Sequence, residues 1–302
     1  TITKCRVCSD DLIEILKYDP QYVATTFVKS NNSNPMSEIK IPLTLMLCKN
    51  KNCSLVQLKE TVKPDLLYKN YFYRTAINDT MRRDLNDLVN YTLDNVKIDD
   101  NDIVIDIGAN DCTMIDMFPN KLNRIAVEPA KNIDWKHVDK SINIVNEYFS
   151  KEIVMQETKK EKAKIITATN VFAHIENVNL LMKNLLKILK NDGIFICESH
   201  YLVSLINSIQ YDAIYHEHLR YYSLTSLKYL FNKYGMEIID AKKINTHGGS
   251  IRVYAARKKR FEIHKSVTKI LNFEKKFLNW KTFINFKKNV VQSKLNLYSI
   301  LK

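Results

Sequence analysis

The chain has 302 residues, 45% hydrophobic and 26% charged, a globular balance that excludes disorder and fibrous repeats and leaves room for two domains, or one large domain with an appendage. Lys and Arg number 46 against 33 Asp and Glu, and the resulting +13 suits an anionic partner: nucleic acid, a membrane surface or a phosphorylated small molecule. No apolar run approaches the roughly 18 residues of a membrane span, the N-terminal Thr-Ile-Thr-Lys-Cys lacks the regions of a signal peptide, and six cysteines are too few for a secreted disulfide scaffold; a cytoplasmic protein is expected.

Four of the six cysteines fall in the first 53 residues, as Cys5-Arg-Val-Cys8 and as Cys48 and Cys53. Two such pairs across a 39-residue connection can close a tetrahedral thiolate site around Zn²⁺. All four positions would be filled, so the metal would be structural, supplying folding energy to a segment with little core of its own.

After Tyr68 the pattern changes. Leu85, Leu88 and Val89 have helical spacing, and Ile103-Val-Ile-Asp-Ile107 is a short apolar run expected as a buried parallel strand. Further strands are expected at 125–127, 142–145, 165–168 and 194–198, with a helix over 180–189 that Gly193 would stop. Strands alternating with helices predict an α/β, doubly wound parallel sheet. Ligands of such sheets lie beyond the carboxyl ends of the strands, where Asp106 and Gly108 close the first strand and Glu128 ends the second, placed to accept both hydroxyls of a ribose. Without a G-x-G-x-x-G or G-x-x-x-x-G-K cradle, a nucleoside lacking phosphates fits best, and S-adenosylmethionine is the common one.

These residues resemble the sugar C-methyltransferases that act on nucleotide-linked deoxyketosugars, a family with an N-terminal zinc-binding domain, a central S-adenosylmethionine-dependent domain of Rossmann-like class I type and a C-terminal domain. Cys5, Cys8, Cys48 and Cys53-Ser-Leu-Val-Gln-Leu58 match its zinc segment; Tyr71-Phe-Tyr73 its aromatic motif over the cofactor; Asp106-Ile-Gly108-Ala-Asn110-Asp111 its glycine loop. Val127-Glu128-Pro129, Asn170-Val-Phe-Ala-His174, Tyr215-His216-Glu217-His218 and His247-Gly248-Gly249-Ser-Ile-Arg252 also match. Cys112 stands where the family has glycine, which narrows the loop but is expected to leave its backbone donors available. The family would continue beyond Lys302, so the C-terminal domain is expected to be missing or supplied by a separate chain. The resemblance divides the chain into a zinc-binding domain at 1–65, a methyltransferase domain at 66–258 and a helical segment at 259–302.

Carbon methylation beside a ketone needs a base for the α-proton, and histidine serves near neutral pH. The resemblance implies Tyr215, Glu217 and His218 as working residues, His174 beside the cofactor, and Tyr71, Tyr73, Asp106, Gly108, Asn110, Asp111, Glu128 and Asn170 as cofactor-binding. His218 is expected as base, oriented by Glu217, with Tyr215 as its rival. His216, Gly248, Gly249 and Arg252 are expected at the nucleotide-diphosphate sugar, the last three through a hairpin turn whose donors meet the diphosphate. His216 and His218, alternating on a strand, could alternatively pair at a metal with His174 or His200. The rival functions are an O- or N-methyltransferase on a related sugar and a zinc-containing nucleic-acid-binding protein, although no DNA-reading helix is recognisable.

Overall fold

Two sheets organise the computed structural model, which describes residues 1–24 and 40–302. The smaller is antiparallel and runs β1 (Leu12–Tyr22), β2 (Lys40–Cys48), β3 (Val56–Leu58) and β9 (Arg220–Tyr221). Its last strand is only two residues long and comes from far along the chain, so the cysteine-bearing segment shares a sheet with the rest of the protein.

The larger sheet has seven strands in the order β10 (Met236–Ile244), β11 (Ser250–Arg257), β8 (Leu189–His200), β7 (Ala163–Thr169), β4 (Ile103–Ile107), β5 (Asn123–Val127) and β6 (Asn143–Val145). From β8 to β6 every pairing is parallel, as the apolar runs predict. The sheet as a whole is mixed, because a tight hairpin joins β10 to β11 and turns β11 antiparallel to both neighbours. Alternate residues of β4 face opposite ways: Ile103, Ile105 and Ile107 pack with α5 (Val178–Ile188), α7 (Leu224–Lys233) and α8 (Lys265–Phe277), whereas Val104 packs with α2 (Asp79–Asn95) and α3 (Thr113–Asp116). This is the two-layered cover of a class I, Rossmann-like sheet. The short helices α1 (Pro64–Tyr68), α4 (Lys151–Glu157) and α6 (Leu202–Asn207) fill the connections.

Local chemistry explains the helix ends. The Asn78 side chain accepts from the Met81 amide at the start of α2, and Ser223 forms a capping box with Ser226 at the start of α7. Gly193, expected as a helix stop, lies instead inside β8, and α5 ends at Ile188. A Cβ there would sit 2.9 Å from Leu189 Cδ1 and 3.0 Å from the Lys164 carbonyl, beside a register shift between β7 and β8, so glycine serves close approach within the sheet.

The C-terminal helices are packed into this frame. Glu274 of α8 is buried and accepts from Tyr201 Oη (2.8 Å), from the amides of Leu224 and Thr225 (2.7 Å each) and from Thr225 Oγ1 (2.6 Å), which caps α7 with a carboxylate. Phe283, Phe286 and Val290 of α9 (Trp280–Leu301) join the cluster under the small sheet. Among the described residues, no helix is long and apolar enough to cross a membrane.

Candidate active site and metal centre

Cys48 ends β2, Cys53 sits in the turn before β3, and Cys5 and Cys8 lie in the turn before β1. The four Sγ atoms lie within 4.8 Å of one another, with Cys5–Cys53 at 3.9 Å and Cys8–Cys48 at 3.3 Å. Tetrahedral zinc with Zn–S of about 2.3 Å needs S···S edges of about 3.8 Å, so the donor set fits. Gln57 Nε2 donates to Cys5 Sγ at 3.3 Å, a hydrogen bond of the kind that steadies a metal-binding thiolate. This is the one such group of three or more ligating side chains among the described residues, and it leaves no open position. His216 and His218 do not form a metal pair, because residues 215–218 form a turn rather than a strand.

A cavity of about 770 Å³ lies at the carboxyl ends of the central strands. At one end β4 runs into Gly108, whose φ of +73° and whose missing Cβ, which would sit 2.7 Å from Val171 Cγ2, both require glycine. Asn110 and Cys112 follow in the left-handed region at +51° and +65°. The Cys112 amide is not available as expected: it donates to the Ala109 carbonyl at 2.9 Å, closing the turn onto α3. Glu128, at the end of β5, grips the loop, Oε2 accepting from the Asn110 amide and Oε1 from the Ala130 amide, both at 2.8 Å. Its burial raises its pKa, and burial also pushes Asp106 up to about 7 although Thr167 Oγ1 donates to it at 2.7 Å.

Asn110 and Asp111 act on the segment that covers the cavity. Asn110 Oδ1 accepts from the Thr75 amide (3.1 Å), its Nδ2 donates to the Tyr73 carbonyl (3.0 Å), and Asp111 Oδ2 accepts from the Ala76 amide (2.8 Å). Asp111 itself does not line the cavity, whereas Tyr71, Tyr73, Asp106, Gly108, Asn110, Glu128 and Asn170 do. The Tyr73 hydroxyl is buried with no protein partner. An apolar-walled cleft carrying two carboxylates and this orphaned hydroxyl suits an uncharged nucleoside moiety.

At the other end stand Tyr215, Glu217, His218 and His174. His218 Nδ1 donates to the Ala213 carbonyl at 3.1 Å, so its Nε2 carries the lone pair and accepts from Tyr215 Oη at 3.0 Å. Ala213, not Glu217, therefore orients the imidazole; Glu217 Oε2 accepts from Tyr71 Oη at 3.3 Å. Desolvation pushes His218 down to about 4 and His174 well below its ordinary value, so both rings are neutral at pH 7. The Tyr68 ring stacks on His174 with centroids 5.7 Å apart, and the His174 and His218 centroids are 5.1 Å apart.

The remaining expected substrate residues are elsewhere. His216 turns to the small sheet, its Nε2 donating to the Ile41 carbonyl (3.2 Å) and its Nδ1 accepting from the Ala24 amide (3.4 Å). Arg252 is buried, does not line the cavity, and has Nε on Glu198 (2.7 Å), Nη1 on Asp87 (3.0 Å) and Nη2 on Asp84 (2.8 Å), so its charge is matched by three carboxylates and not directed at a diphosphate. Gly248 and Gly249 form the β10–β11 hairpin and do not line the cavity. Tyr68, His200, Arg220 and His247 do line it and were not expected there as acceptor-site residues. A position at the carboxyl end of a parallel strand was the available signal for His200.

Family models match nearly the whole chain: a methyltransferase domain over residues 77–241, a zinc binding domain over 5–68 and a C-methyltransferase C-terminal domain over 245–302. The last covers the 259–302 segment, which was expected only to lead into that domain. The C-methyltransferase NovU of Streptomyces niveus is 29% identical over 258 residues, covering 84% of this chain and 61% of that protein, so the chain spans about three fifths of its relative's length. Among solved structures, the chain is similar to magnesium protoporphyrin IX methyltransferase (ChlM) from Synechocystis PCC 6803 with bound SAH (10% identity, 60% of this chain and 88% of that one, TM-score 0.46). It is also similar to the YcgJ protein of Bacillus subtilis (15% identity, 58% and 99%, TM-score 0.42).

Proposed function

As the chain belongs to the methyltransferase-domain family, we propose that it methylates a carbon next to the keto group of a nucleotide-diphosphate deoxyketosugar, taking the methyl group from S-adenosylmethionine. The observation that carries this reading is the Tyr215–His218 pair, a half-buried proton acceptor of fixed tautomer facing the same cavity as the cofactor loop. O- or N-methylation would need no group to remove a proton from carbon.

When bound, S-adenosylmethionine supplies an electrophilic methyl on a sulfonium. Tyr73, Asp106, Asn110, Glu128 and Asn170 would hold it, beneath the segment that Asn110 and Asp111 fasten down. Tyr215 cannot ionise alone, since burial and the nearby Glu217 raise its phenol. Its oxygen takes the α-proton as its own hydrogen passes to His218 Nε2, and the Ala213 carbonyl on Nδ1 stabilises the imidazolium that forms. The electron pair of the C–H bond would become the enolate, and the cofactor would supply the methyl group, its methyl carbon–sulfur bond breaking with the pair left on sulfur as S-adenosylhomocysteine. The four-cysteine centre would hold its zinc away from this chemistry.

The test is solvent deuterium exchange at the sugar carbon with S-adenosylhomocysteine present and no methyl donor, over a panel of nucleoside-diphosphate ketodeoxysugars. Exchange that disappears in Tyr215→Phe and His218→Phe supports the reading. Methyl transfer to oxygen or nitrogen without any carbon exchange would replace it.

A further inference from the structure

Four histidines line the cavity, and the proposed proton relay uses one of them. His200 stands at the end of β8, its ring 6.3 Å from that of His218 and inclined at 61°. Its hydrogen-bonding state follows from two residues taken in turn, Gly248 and Gln210. The Gly248 carbonyl can only accept, so the Gln210 side-chain nitrogen, 2.8 Å away, must donate to it. That orients the amide, and its oxygen is then the atom 2.7 Å from His200 Nε2. An amide oxygen only accepts, so Nε2 carries the hydrogen. Burial lowers the basicity of the ring, which is therefore neutral at pH 7, and a neutral imidazole protonated at Nε2 has its lone pair on Nδ1. Among the described residues no donor meets that nitrogen. His200 lines the cavity and Gln210 does not, and with Nε2 engaged by Gln210 the ring nitrogen left to accept is Nδ1.

The same relay explains Gly248. At φ +74° a Cβ would sit 2.6 Å from Gln210 Oε1, so a side chain there would push the amide off His200. The hairpin glycine thus serves to support a pocket histidine, which replaces the diphosphate role that the sequence suggested.

We infer that His200 is a specificity residue of the acceptor end, its Nδ1 accepting a hydrogen bond from a ring hydroxyl of the sugar, with Gln210 and the Gly248 carbonyl fixing the tautomer. This rests on the acceptor reading proposed above. The keto oxygen itself brings no hydrogen, so it cannot satisfy Nδ1, whereas a hydroxyl on a neighbouring ring carbon can. His218 has both nitrogens engaged, whereas His200, its neighbour, has Nδ1 to spare.

Two measurements on the full chain test this. In ¹⁵N-histidine NMR, His200 should be protonated at Nε2 and His218 at Nδ1, and Gln210→Leu should release His200 into exchange between tautomers while His218 is unchanged. A wild-type His200 protonated at Nδ1 overturns the proposal without touching the proposed function. In calorimetry with S-adenosylhomocysteine present, a nucleoside-diphosphate ketosugar with a hydroxyl beside the keto group should bind about tenfold more tightly than its deoxy counterpart, the scale of one neutral hydrogen bond. His200→Phe should abolish that preference and leave S-adenosylhomocysteine affinity unchanged, with His200→Leu as the second variant should the larger ring disturb folding. A preference that survives both substitutions overturns the proposal alone. Failure of both sugars to bind the wild-type chain would overturn the acceptor reading and this inference together.

Discussion

Glu128→Gln tests the cofactor end most sharply, because the substitution keeps the shape and changes only what the side chain can accept. The carboxylate is 6% exposed and takes one backbone amide on each oxygen, Asn110 on Oε2 and Ala130 on Oε1, both at 2.8 Å. A glutamine has one accepting oxygen, so in either orientation its NH₂ group faces a backbone N–H. One hydrogen bond to a charged acceptor, about 1.5–3 kcal/mol, is lost and the other is weakened to neutral strength. Relief of the desolvation that raises the Glu128 pKa offsets part of this, leaving roughly 2–4 kcal/mol in total. Differential scanning calorimetry without ligand should therefore show Tm falling by roughly 4–16 °C, at about 2–4 °C per kcal/mol. Titration calorimetry should show S-adenosylhomocysteine binding weakened by about tenfold or more, because the carboxylate is also the proposed ribose acceptor. An unchanged Tm would mean that Glu128 does not pin the Asn110 loop. An unchanged Kd would remove it from the cofactor site.

Other perturbations separate the remaining parts. Tyr215→Phe should cut turnover by about 10²–10⁴, the usual worth of a general base, while S-adenosylhomocysteine titrations are unchanged; turnover within a factor of two of wild type would exclude Tyr215 from the relay. His218 titrates near 4 in the fold and near its ordinary 6.5 when unfolded, so the unfolded chain binds more protons between those values and stability rises with pH across that window. His218→Phe should flatten the rise by roughly 2.4 kcal/mol between urea titrations at pH 4.5 and 7, and an equal slope in both proteins would contradict the neutral ring. Elemental analysis should find about one zinc per chain, and Cys48→Ser should release it and loosen residues 1–58 to proteolysis with cofactor affinity largely kept; four freely reactive thiols would refute the site. Arg252→Met should cost about 3–5 kcal/mol in denaturant titrations by stranding the buried Glu198 carboxylate, and a loss below 1 kcal/mol would show the network to be dispensable.

What could be read in the sequence depended on how local its cause is. Cys5-x-x-Cys8 is legible from its spacing alone, whereas the Asp106–Gly108 turn and Glu128 lie at the ends of strands whose apolar runs are legible, so strand and site residue come together. Arg252 was misjudged because a positive charge does not reveal its partner: the carboxylates it meets come from β8 and α2, at sequence separations of 54 and up to 168. His216 and His218 are two residues apart, yet a turn sends one to the Ile41 carbonyl and the other to the cavity. The alternation rule that suggested a shared face holds only on a strand. Gly193 carried the right residue type for a helix stop, but the constraint was the neighbouring strand, which no local pattern records. β9, two residues long, has no periodicity to detect at all.

That short strand also gives the cysteine centre a mechanical connection to the acceptor end. Gln57 lies between them: its side chain donates to Cys5 Sγ and accepts from the Arg6 amide at 2.9 Å, while its backbone pairs in register with Arg220. The Leu58 amide donates to the Leu219 carbonyl at 3.0 Å, one residue beyond His218. Arg220, buried, then spans to the carbonyls of Ile175 and Glu176, next to His174. The turn that bears Tyr215, Glu217 and His218 is thus anchored at its far end to a sheet whose other strands are closed by the thiolates. A flexible turn could not keep a phenol and an imidazole at 3.0 Å and also hold the imidazole on the Ala213 carbonyl, because each ordered side chain loses about 1 kcal/mol or more of rotamer freedom. Anchoring the turn in a sheet meets that cost during folding, before any substrate arrives. A metal held by the four cysteines would therefore bear on the geometry of the proposed proton transfer through the β3–β9 pairing.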